Sequence, residues 1–413
     1  MTHGSVGVHN IAETKDMQTS LSTSSLTLTE SDGAVATGSL RVDLVEDSAG
    51  LEALRPEWQE LLKASGVDCL FMSWEWLGTW WKHVSAGRRL HILTMRRGGR
   101  LIGIAPWALR PPQPGRLIPF RALEFMGMGD IGSDYLDLIA RPEDEAEVVK
   151  AAGDYLERHR MFIEFQRVKH SSQRVGTLVS RLDQAGWQTQ QLITENCAYL
   201  DLKGHTWKSY LSTVSRSHRA NVNRRQRRLK ESFQSVEFQK VTDETTRVAC
   251  FKDFAHLHEL RWSGDERSTA FTGPDVMAFH EEFSRLALEQ GWLRLYVLRL
   301  DGKAVASTYS FRYGDVFYYY QAGYDPAYSS YSVGLSTLAM AVEQSIEEGI
   351  AEIDFLHGEE EYKALWTRTR RDLERAQCFP PNVYGSLYRK AMGLRRGIKR
   401  LIRWPNRMRE IQA

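Results

Sequence analysis

Cysteine is scarce: Cys69, Cys197, Cys250 and Cys378 lie far apart in 413 residues, with no Cys-x-x-Cys pair. That spacing argues against zinc sites and against a disulfide framework, and marks the four as reduced packing residues. No apolar run approaches the ~18 residues that a membrane-spanning helix needs, so no spanning segment is expected. Net charge is nearly absent, +2 from 54 basic and 52 acidic residues, which leaves any electrostatic function to local clusters. Residues 1–40 are rich in Ser, Thr and Gly but lack both a basic n-region and an apolar h-region. They read as a disordered tail rather than a secretory signal, with the cytoplasm as the expected location. The twelve histidines are scattered, and His256-Leu257-His258 has no partner motif. No metal is expected, nor a Ser-His-Asp or Cys-His constellation.

What is present is the composition of a globular enzyme, 42% hydrophobic and 26% charged. The length exceeds one ordinary core and predicts two domains. The first half opens with an alternating strand at 41–45 and a helix carrying Leu51, Leu54, Trp58, Leu61 and Leu62 at helical spacing. A second helix carries Trp74, Trp76, Leu77, Trp80 and Trp81. A hairpin over 90–95 and 101–109 turns at Gly98-Gly99, because paired glycines permit the positive φ of tight turns. Strand 122–125, a short strand 135–139, helix 143–158 and strand 161–168 lead to a further helix and a strand ending near Leu202. The second half repeats the order: a hairpin of 292–300 and 304–311 about Asp301-Gly302, strand 316–321, a loop, helix 333–348 and strand 351–355. With Gly99 set against Gly302, both halves arrive at an acidic-Phe pair, Glu164-Phe165 and Asp354-Phe355. The chain thus reads as α/β (α+β), with tandem domains that are each a mixed, mostly antiparallel sheet flanked by helices. The expected division is a tail at 1–40, domains at 41–202 and 203–380, and a basic amphipathic helix at 381–413.

Several residues carry possible chemistry. Trp74, Glu75 and Trp76 belong to an aromatic cluster that either lines a sugar or nucleotide pocket or packs between domains. Asp134 and Asp137 flank Tyr135 in a Gly-rich loop running into a strand. A carboxylate there serves as a base or caps the loop, and alternation puts Tyr135 and Asp137 on one strand face. Tyr318, Tyr319, Tyr320, Gln321 and Tyr324 form the densest aromatic run, half of it core and the rest a wall for a nucleotide. Asp354, at a strand end, is a further candidate base or a structural acid.

Four passages, Phe71-Met72-Ser73-Trp74-Glu75-Trp76, Gly132-Ser133-Asp134-Tyr135-Leu136-Asp137, Tyr331-Ser332-Val333-Gly334-Leu335 and Asp354-Phe355-Leu356-His357-Gly358 leading to Tyr362-Lys363, carry a resemblance in their order. With them the chain resembles the GNAT acyltransferase superfamily, in its two-domain FemAB-like branch that includes CelD-like acetyltransferases of cellulose and exopolysaccharide production. The resemblance implies tandem GNAT-like domains, acetyl-CoA or another acyl-CoA as donor, and a nucleotide sugar or lipid-linked glycan precursor as acceptor. It implies a donor site on Tyr320, Gln321, Ser329, Ser332, Val333 and Gly334, because helix N-terminal amides attract phosphate. Only Gly334 keeps the family's glycine pattern. It further implies that Tyr362 returns a proton to the thiolate leaving group. Tyr324 is an expected substrate-binding residue on the wall for a nucleotide or pantetheine arm, and Lys363 either holds a phosphate or is a surface lysine. The first domain's helix begins Pro142-Glu143-Asp144-Glu145, whose carboxylates would repel a pyrophosphate, so the second domain is the expected donor site.

Two segments are strongly basic. Arg216, Arg219, Arg224, Arg225, Arg227, Arg228 and Lys230 lie on a predicted helix that either faces solvent or serves an anionic substrate. The FemAB-like resemblance implies a nucleotide sugar or an aminoacyl-tRNA as that substrate, the second being the alternative donor. A third possibility is a degenerate sensor of a cyclic dinucleotide, gripped by Arg368, Arg370, Arg371 and Arg375. From Val383 to the Trp404-Pro405 end, apolar residues recur every three to four among arginines. That profile suits a helix lying on an anionic membrane surface, or one docked on its own domain.

Overall fold

The computed structural model describes residues 26–27, 38–111, 121–262, 271, 273–387 and 389. The first half runs β1 (Leu26–Thr27), β2 (Leu40–Val45), α1 (Ser48–Ala53), α2 (Arg55–Lys63), α3 (Trp74–Val84), β3 (Arg89–Leu90), β4 (Ile92–Arg97), β5 (Arg100–Ala105), β6 (Trp107–Leu109) and β7 (Ala122–Phe125). It continues through β8 (Ile139–Ala140), α4 (Glu145–His159), β9 (Phe162–Lys169), α5 (Gln173–Gln184) and β10 (Gln188–Asp201). The helix expected through Leu51 and Leu62 is two helices. Leu54 closes α1 and opens α2, with Pro56 in the first turn of α2, where its missing N–H costs nothing.

The second half comprises α6 (Trp207–Thr213), α7 (Arg216–Ser232), β11 (Val236–Lys240), α8 (Glu244–Trp262), α9 (Pro274–Glu289), β12 (Leu293–Leu300), β13 (Lys303–Tyr313), β14 (Val316–Tyr324), α10 (Val333–Glu347), β15 (Glu352–His357), α11 (Lys363–Trp366) and β16 (Arg370–Phe379). Both hairpin turns form as their residues require. Gly98 and Gly99 take φ of 56° and 85°, and Asp301 and Gly302 take 48° and 80°, positive at both central positions.

Among the described residues, β11-β12-β13-β14-β15-β10-β16-β9-β7-β6-β3 form one eleven-stranded sheet, and β1-β2-β4-β5-β8 form a smaller one. The chain passes from the small sheet to the large one at Pro106, between β5 and β6. Two pairs are parallel, β7 with β9 and β14 with β15, and the other pairings are antiparallel.

At the centre of the large sheet the two halves on either side of 202/203 exchange strands. β10, the last strand of the first half, pairs with β15 of the second; β16, the last strand of the second, pairs with β9 of the first. The two exchanged strands also pair with each other from Gln188↔Phe379 to Ala198↔Arg370. Each half therefore completes its parallel pair with the other half's final strand.

The halves also share a core. Trp76 of α3 is fully buried, edge-on to Phe279 and Phe283 of α9 at 5.0 and 4.7 Å between ring centroids, and to Tyr320 of β14 at 5.6 Å. The Ser73 hydroxyl caps α3 by accepting from the Trp76 N–H, which fixes where this aromatic run starts.

The short strand expected at 135–139 is reduced to Ile139–Ala140. Tyr135 sits in the left-handed region at φ 61°, so the alternation that put Tyr135 and Asp137 on one face does not apply. The cause is local: Asp137 accepts from the Leu138 N–H at 2.7 Å and Asp134 from the His357 N–H at 3.0 Å, so side chains take up the backbone donors that a ladder would use.

Candidate functional site

β14 and β15 stay in register for only three residue pairs, Val316↔Glu352 to Tyr318↔Asp354, and then part. A cavity of about 340 Å³ lies against β14 beyond this register, walled by Thr308 of β13, Tyr319 and Tyr324 of β14, Ser332 and Gly334 at the start of α10, and Tyr362. The entry to α10 is bare of side-chain caps: Ser332 is left-handed at φ 55°, and no side chain accepts from the first turn. The amides of Val333, Gly334 and Leu335, residues that line the cavity, have no intrahelical acceptor to use. Together with the positive end of the helix dipole they give this end of the cavity an electropositive lining of unpaired donors. Small side chains and Gly334 keep the approach open; a Cβ on Gly334 would meet only the Tyr324 ring, at 3.4 Å.

The equivalent place in the first half is closed. Asp144 stands at the start of α4, buried, accepting from Arg97 and Arg100 at 3.0 and 3.1 Å. Where β7 and β9 part, Arg110 Nη2 donates to Glu164 at 2.6 Å and Arg88 Nε to Glu124 at 2.7 Å. Ion pairs thus occupy that cleft.

Of the residues expected to hold a donor, Ser329, Ser332, Val333 and Gly334 line the cavity, with Tyr324 and Tyr362. Tyr320 does not: it points through the opposite face, where its hydroxyl donates to the Ile131 carbonyl. Gln321 is likewise absent from the lining. Alternation along β14 gives the cavity to Tyr319, which sequence reasoning left unassigned. Arg261 of α8 also reaches the cavity, its Nη1 donating to the Ala322 carbonyl at 2.9 Å and its guanidinium 5.5 Å from the Tyr324 ring. Burial pushes the Tyr362 phenol well above its ordinary range, with Tyr319 and Glu360 adding to it. The hydroxyl therefore keeps its proton at neutral pH.

A second cluster lies at the seam of the two halves. Tyr135 donates to Asp354 Oδ2 at 2.6 Å, and Arg371 Nη1 donates to the same oxygen at 3.2 Å and to Glu352 at 2.6 Å, its guanidinium 3.8 Å from the Tyr199 ring centre. Burial pushes the Asp354 carboxyl up to about 6, against the pull of Tyr135, the Leu356 N–H and Arg371. Beside it, Asp134 is fully buried and accepts from the His357 N–H at 3.0 Å; the His357 Nδ1 lies 3.0 Å from Oδ2 and 2.8 Å from Oδ1. Burial alone would raise the Asp134 carboxyl, but His357 and Arg167 outweigh it and hold the group below its usual range. His357 was missed in the sequence because its partner is 223 positions away. Asp134, Glu195 and His357 bring ligand-type atoms within 4.8 Å of one another. The Arg167 Nε lies 3.3 Å from Glu195 and 4.0 Å from Asp134, so its cation already fills the role a metal would take there.

Other expected site residues prove to be packing or scaffold. Trp74 stacks under Arg55 at 4.4 Å and donates to the Leu51 carbonyl, Glu75 is buried and accepts from Gln59, and Trp76 donates to the Ser133 hydroxyl at 2.8 Å. Large aromatic areas are worth most when dry, which is where this cluster puts them. Lys363 is neither a surface lysine nor free for a phosphate. It is buried, its Nζ donating to the carbonyls of Leu356, His357 and Gly358 at 3.2, 3.1 and 3.4 Å and pairing with Glu360 at 2.8 Å. Arg370 donates to Asn196 and Arg371 is held by carboxylates, so the phosphate-gripping set with Arg368 and Arg375 is not assembled. On α7, Arg225 and Arg228 donate to the Ser330 carbonyl at 3.0 and 3.3 Å beside the cavity entrance, while Arg219 is half-buried and outside its lining. Of the C-terminal stripe at 383–404, Val383, Tyr384 and Leu387 are exposed and Arg389 donates to Gln188; residues 388 and 390–404 lie outside the described residues.

Asp137 is a structural acid: it accepts from the Leu138 N–H and the Ser172 hydroxyl, and burial raises its carboxyl to about 6. Because the folded protein holds this proton more tightly than the unfolded chain, the group favours folding below about pH 4, and that contribution is lost as pH rises through about 6. Asp137→Asn, whose amide oxygen can still accept from Leu138, is expected to flatten the fall in stability between about pH 4 and 6. Asp354 titrates over the same window, so the slope is reduced rather than abolished. Urea midpoints on either side of that window check this.

Residues 216–364 match the acetyltransferase (GNAT) domain family. No curated protein matches the chain. Among solved structures, FemX aligns at 12% identity over 78% of this chain and 95% of that one, with a TM-score of 0.56, a likeness of fold. A conserved protein of unknown function from Bacteroides thetaiotaomicron aligns at 12% identity over 81% and 99%, TM-score 0.49. The C-terminal domain of a putative lysylphosphatidylglycerol synthetase from Agrobacterium fabrum aligns at 11% identity over 84% and 95%, TM-score 0.49. Among the described residues, no helix is long and apolar enough to cross a membrane.

Proposed function

We propose that this chain is an N-acyltransferase that takes an acyl-CoA donor in the cavity between β14 and the start of α10 and passes the acyl group to an amine. The observation that carries this is the uncapped start of α10 opening on that cavity, inside the segment that matches the GNAT acetyltransferase domain. The first-turn amides of α10 would hold the donor's pyrophosphate, with Arg225 and Arg228 of α7 supplying positive charge nearby. Thr308, Tyr319 and Tyr324 would wall the pantetheine arm. The protein's main contribution is to align two substrates, and Tyr362 would give its hydroxyl proton to the departing thiolate. An amino sugar or glycan precursor as acceptor, and a place at the inner membrane face through 383–404, are supported by the resemblance and by the basic apolar stripe.

Acetyl-CoA should bind with measurable heat. Gly334→Asp puts a carboxylate at the phosphate position, where it stabilises the bare helix end rather than harming the fold. It is expected to weaken acetyl-CoA binding by about 100-fold, a coupling of about 2.7 kcal/mol, between close like charges. Calorimetry on both proteins checks this, and absence of heat with the parent chain would remove the coenzyme A donor.

The basic face of α7 beside the cavity favours a second reading, an aminoacyl-tRNA donor. Its binding would fall steeply with salt as neutralised phosphates release counterions.

A further inference from the structure

We propose that His357 is the catalytic base that takes the proton from the acceptor amine, with Asp134 as its positioning residue. The inference rests on the transferase function above and adds to it the group that makes the amine nucleophilic.

The geometry is that of a carboxylate–imidazole dyad assembled from the two halves. Asp134 comes from the loop before β8 and His357 from the end of β15. One carboxylate accepts from both the His357 backbone N–H and its ring Nδ1, so the residue is held at two points. With the proton on Nδ1, the lone pair of Nε2 points away from Asp134, and the His357 side chain keeps 27% of its surface exposed while that of Asp134 has none. This is the one imidazole tautomer that can accept a proton from a substrate. Asp134, with the Arg167 guanidinium 4.0 Å away, is placed to stabilise the imidazolium that results.

The surrounding backbone is built to hold this contact. Among the described residues, six non-glycine positions have positive φ, and three of them surround the dyad: Tyr135 at 61°, Arg167 at 55° and Leu356 at 58°. Bulky residues pay for that conformation, and such outliers collect at functional sites. Leu356 in particular lies at the register shift that β15 makes against β10 just before His357. Gly132, at φ 63°, lets its loop close on the ring; a Cβ there would sit 3.4 Å from His357 Cε1 and 3.4 Å from Arg167 Nη1. Buried Lys363 binds the His357 carbonyl at 3.1 Å, and its neighbour Tyr362 is in the cavity wall.

The step balances without another reactant. An ammonium proton passes to His357 Nε2. The freed nitrogen lone pair attacks the thioester carbonyl carbon, the C–N bond forms and the C–S bond breaks. The sulfur takes the Tyr362 hydroxyl proton, and the second proton lost by the nitrogen restores that hydroxyl. The imidazolium proton leaves to solvent.

The test uses the full chain with acetyl-CoA and two amines: ethanolamine, an ammonium ion at neutral pH, and methoxyamine, neutral there. His357→Ala should lower kcat/KM for ethanolamine by about 100-fold or more and for methoxyamine by less than about 10-fold, since only the first needs a base. Equal losses with both amines, or no loss, overturn the proposal while leaving the transferase in place. No transfer by the parent chain to either amine removes the transferase and this base with it. Nitrogen-15 spectra of labelled histidine read the dyad without turnover. His357 should carry its proton on Nδ1 in the parent and lose that preference in Asp134→Asn, and a proton on Nε2 in the parent overturns the assignment.

Discussion

Trp76→Ala is expected to destabilise the protein by about 4 kcal/mol, the middle of the range for removing a large buried aromatic. Total stabilities of folded proteins are about 5–15 kcal/mol, so the variant should be marginal or unfolded at 37 °C. The size follows from position. Trp76 is fully buried, meets Phe71, Phe279, Phe283 and Tyr320 edge-on, and leaves the Ser133 hydroxyl short of a donor when removed. Because α3 and α9 belong to different halves, the lost contacts are those between them. Urea denaturation followed by tryptophan fluorescence, with far-ultraviolet dichroism as a second probe, checks this. A loss below about 2 kcal/mol would mean that the aromatic cluster is not a shared core.

Gly323→Ala is the other change expected to have a large effect. A Cβ at Gly323 would lie 2.3 Å from the His258 amide nitrogen and 2.5 Å from the Leu257 carbonyl carbon, both backbone atoms of α8. Backbone cannot rotate away as a side chain can, so the helix must lift from β14, at a cost of about 3 kcal/mol, the upper end for overpacking. The same displacement shifts Arg261 away from the cavity, so donor binding should weaken together with stability. Gly176→Ala in α5 is the control. Nothing lies within 4 Å of its Cβ, and replacing a helical glycine should raise stability by about 0.5–1 kcal/mol. Urea melts of the two variants side by side give the comparison.

Much of this architecture was written locally. Asp301-Gly302 and Gly98-Gly99 named their hairpins because the turn chemistry needs only two residues. Helix α10 was legible from spacing, and with it the bare helix start at Ser332 to Gly334. What the sequence could not express was pairing over distance. Nothing in 188–201 says that this strand will lie between β15 and β16, since a period-two pattern fixes a face and leaves the neighbour open. The same limit hid His357, whose chemistry appears only when Asp134 arrives from the other half. It also left Trp74, Glu75 and Trp76 as candidate binding residues, because an aromatic face looks alike whether it will meet a sugar or Phe279. Lys363 was misread for a related reason. A lysine in a turn is ordinarily solvated, and here three carbonyls of a tight turn replace the water.

The exchanged strands set a schedule for folding. β16 lies between β9 and β10, which are synthesised about two hundred residues before it. Until 370–379 has emerged, the first half has unpaired backbone along β9, and β10 lacks one of its two neighbours. Contacts closed over such separations form slowly, and open strand edges in the meantime invite pairing with other chains. Synthesis of this protein should therefore depend on chaperones more than its length suggests, and a ribosome stalled before codon 370 should leave a nascent chain that is readily cut by protease between β9 and β10.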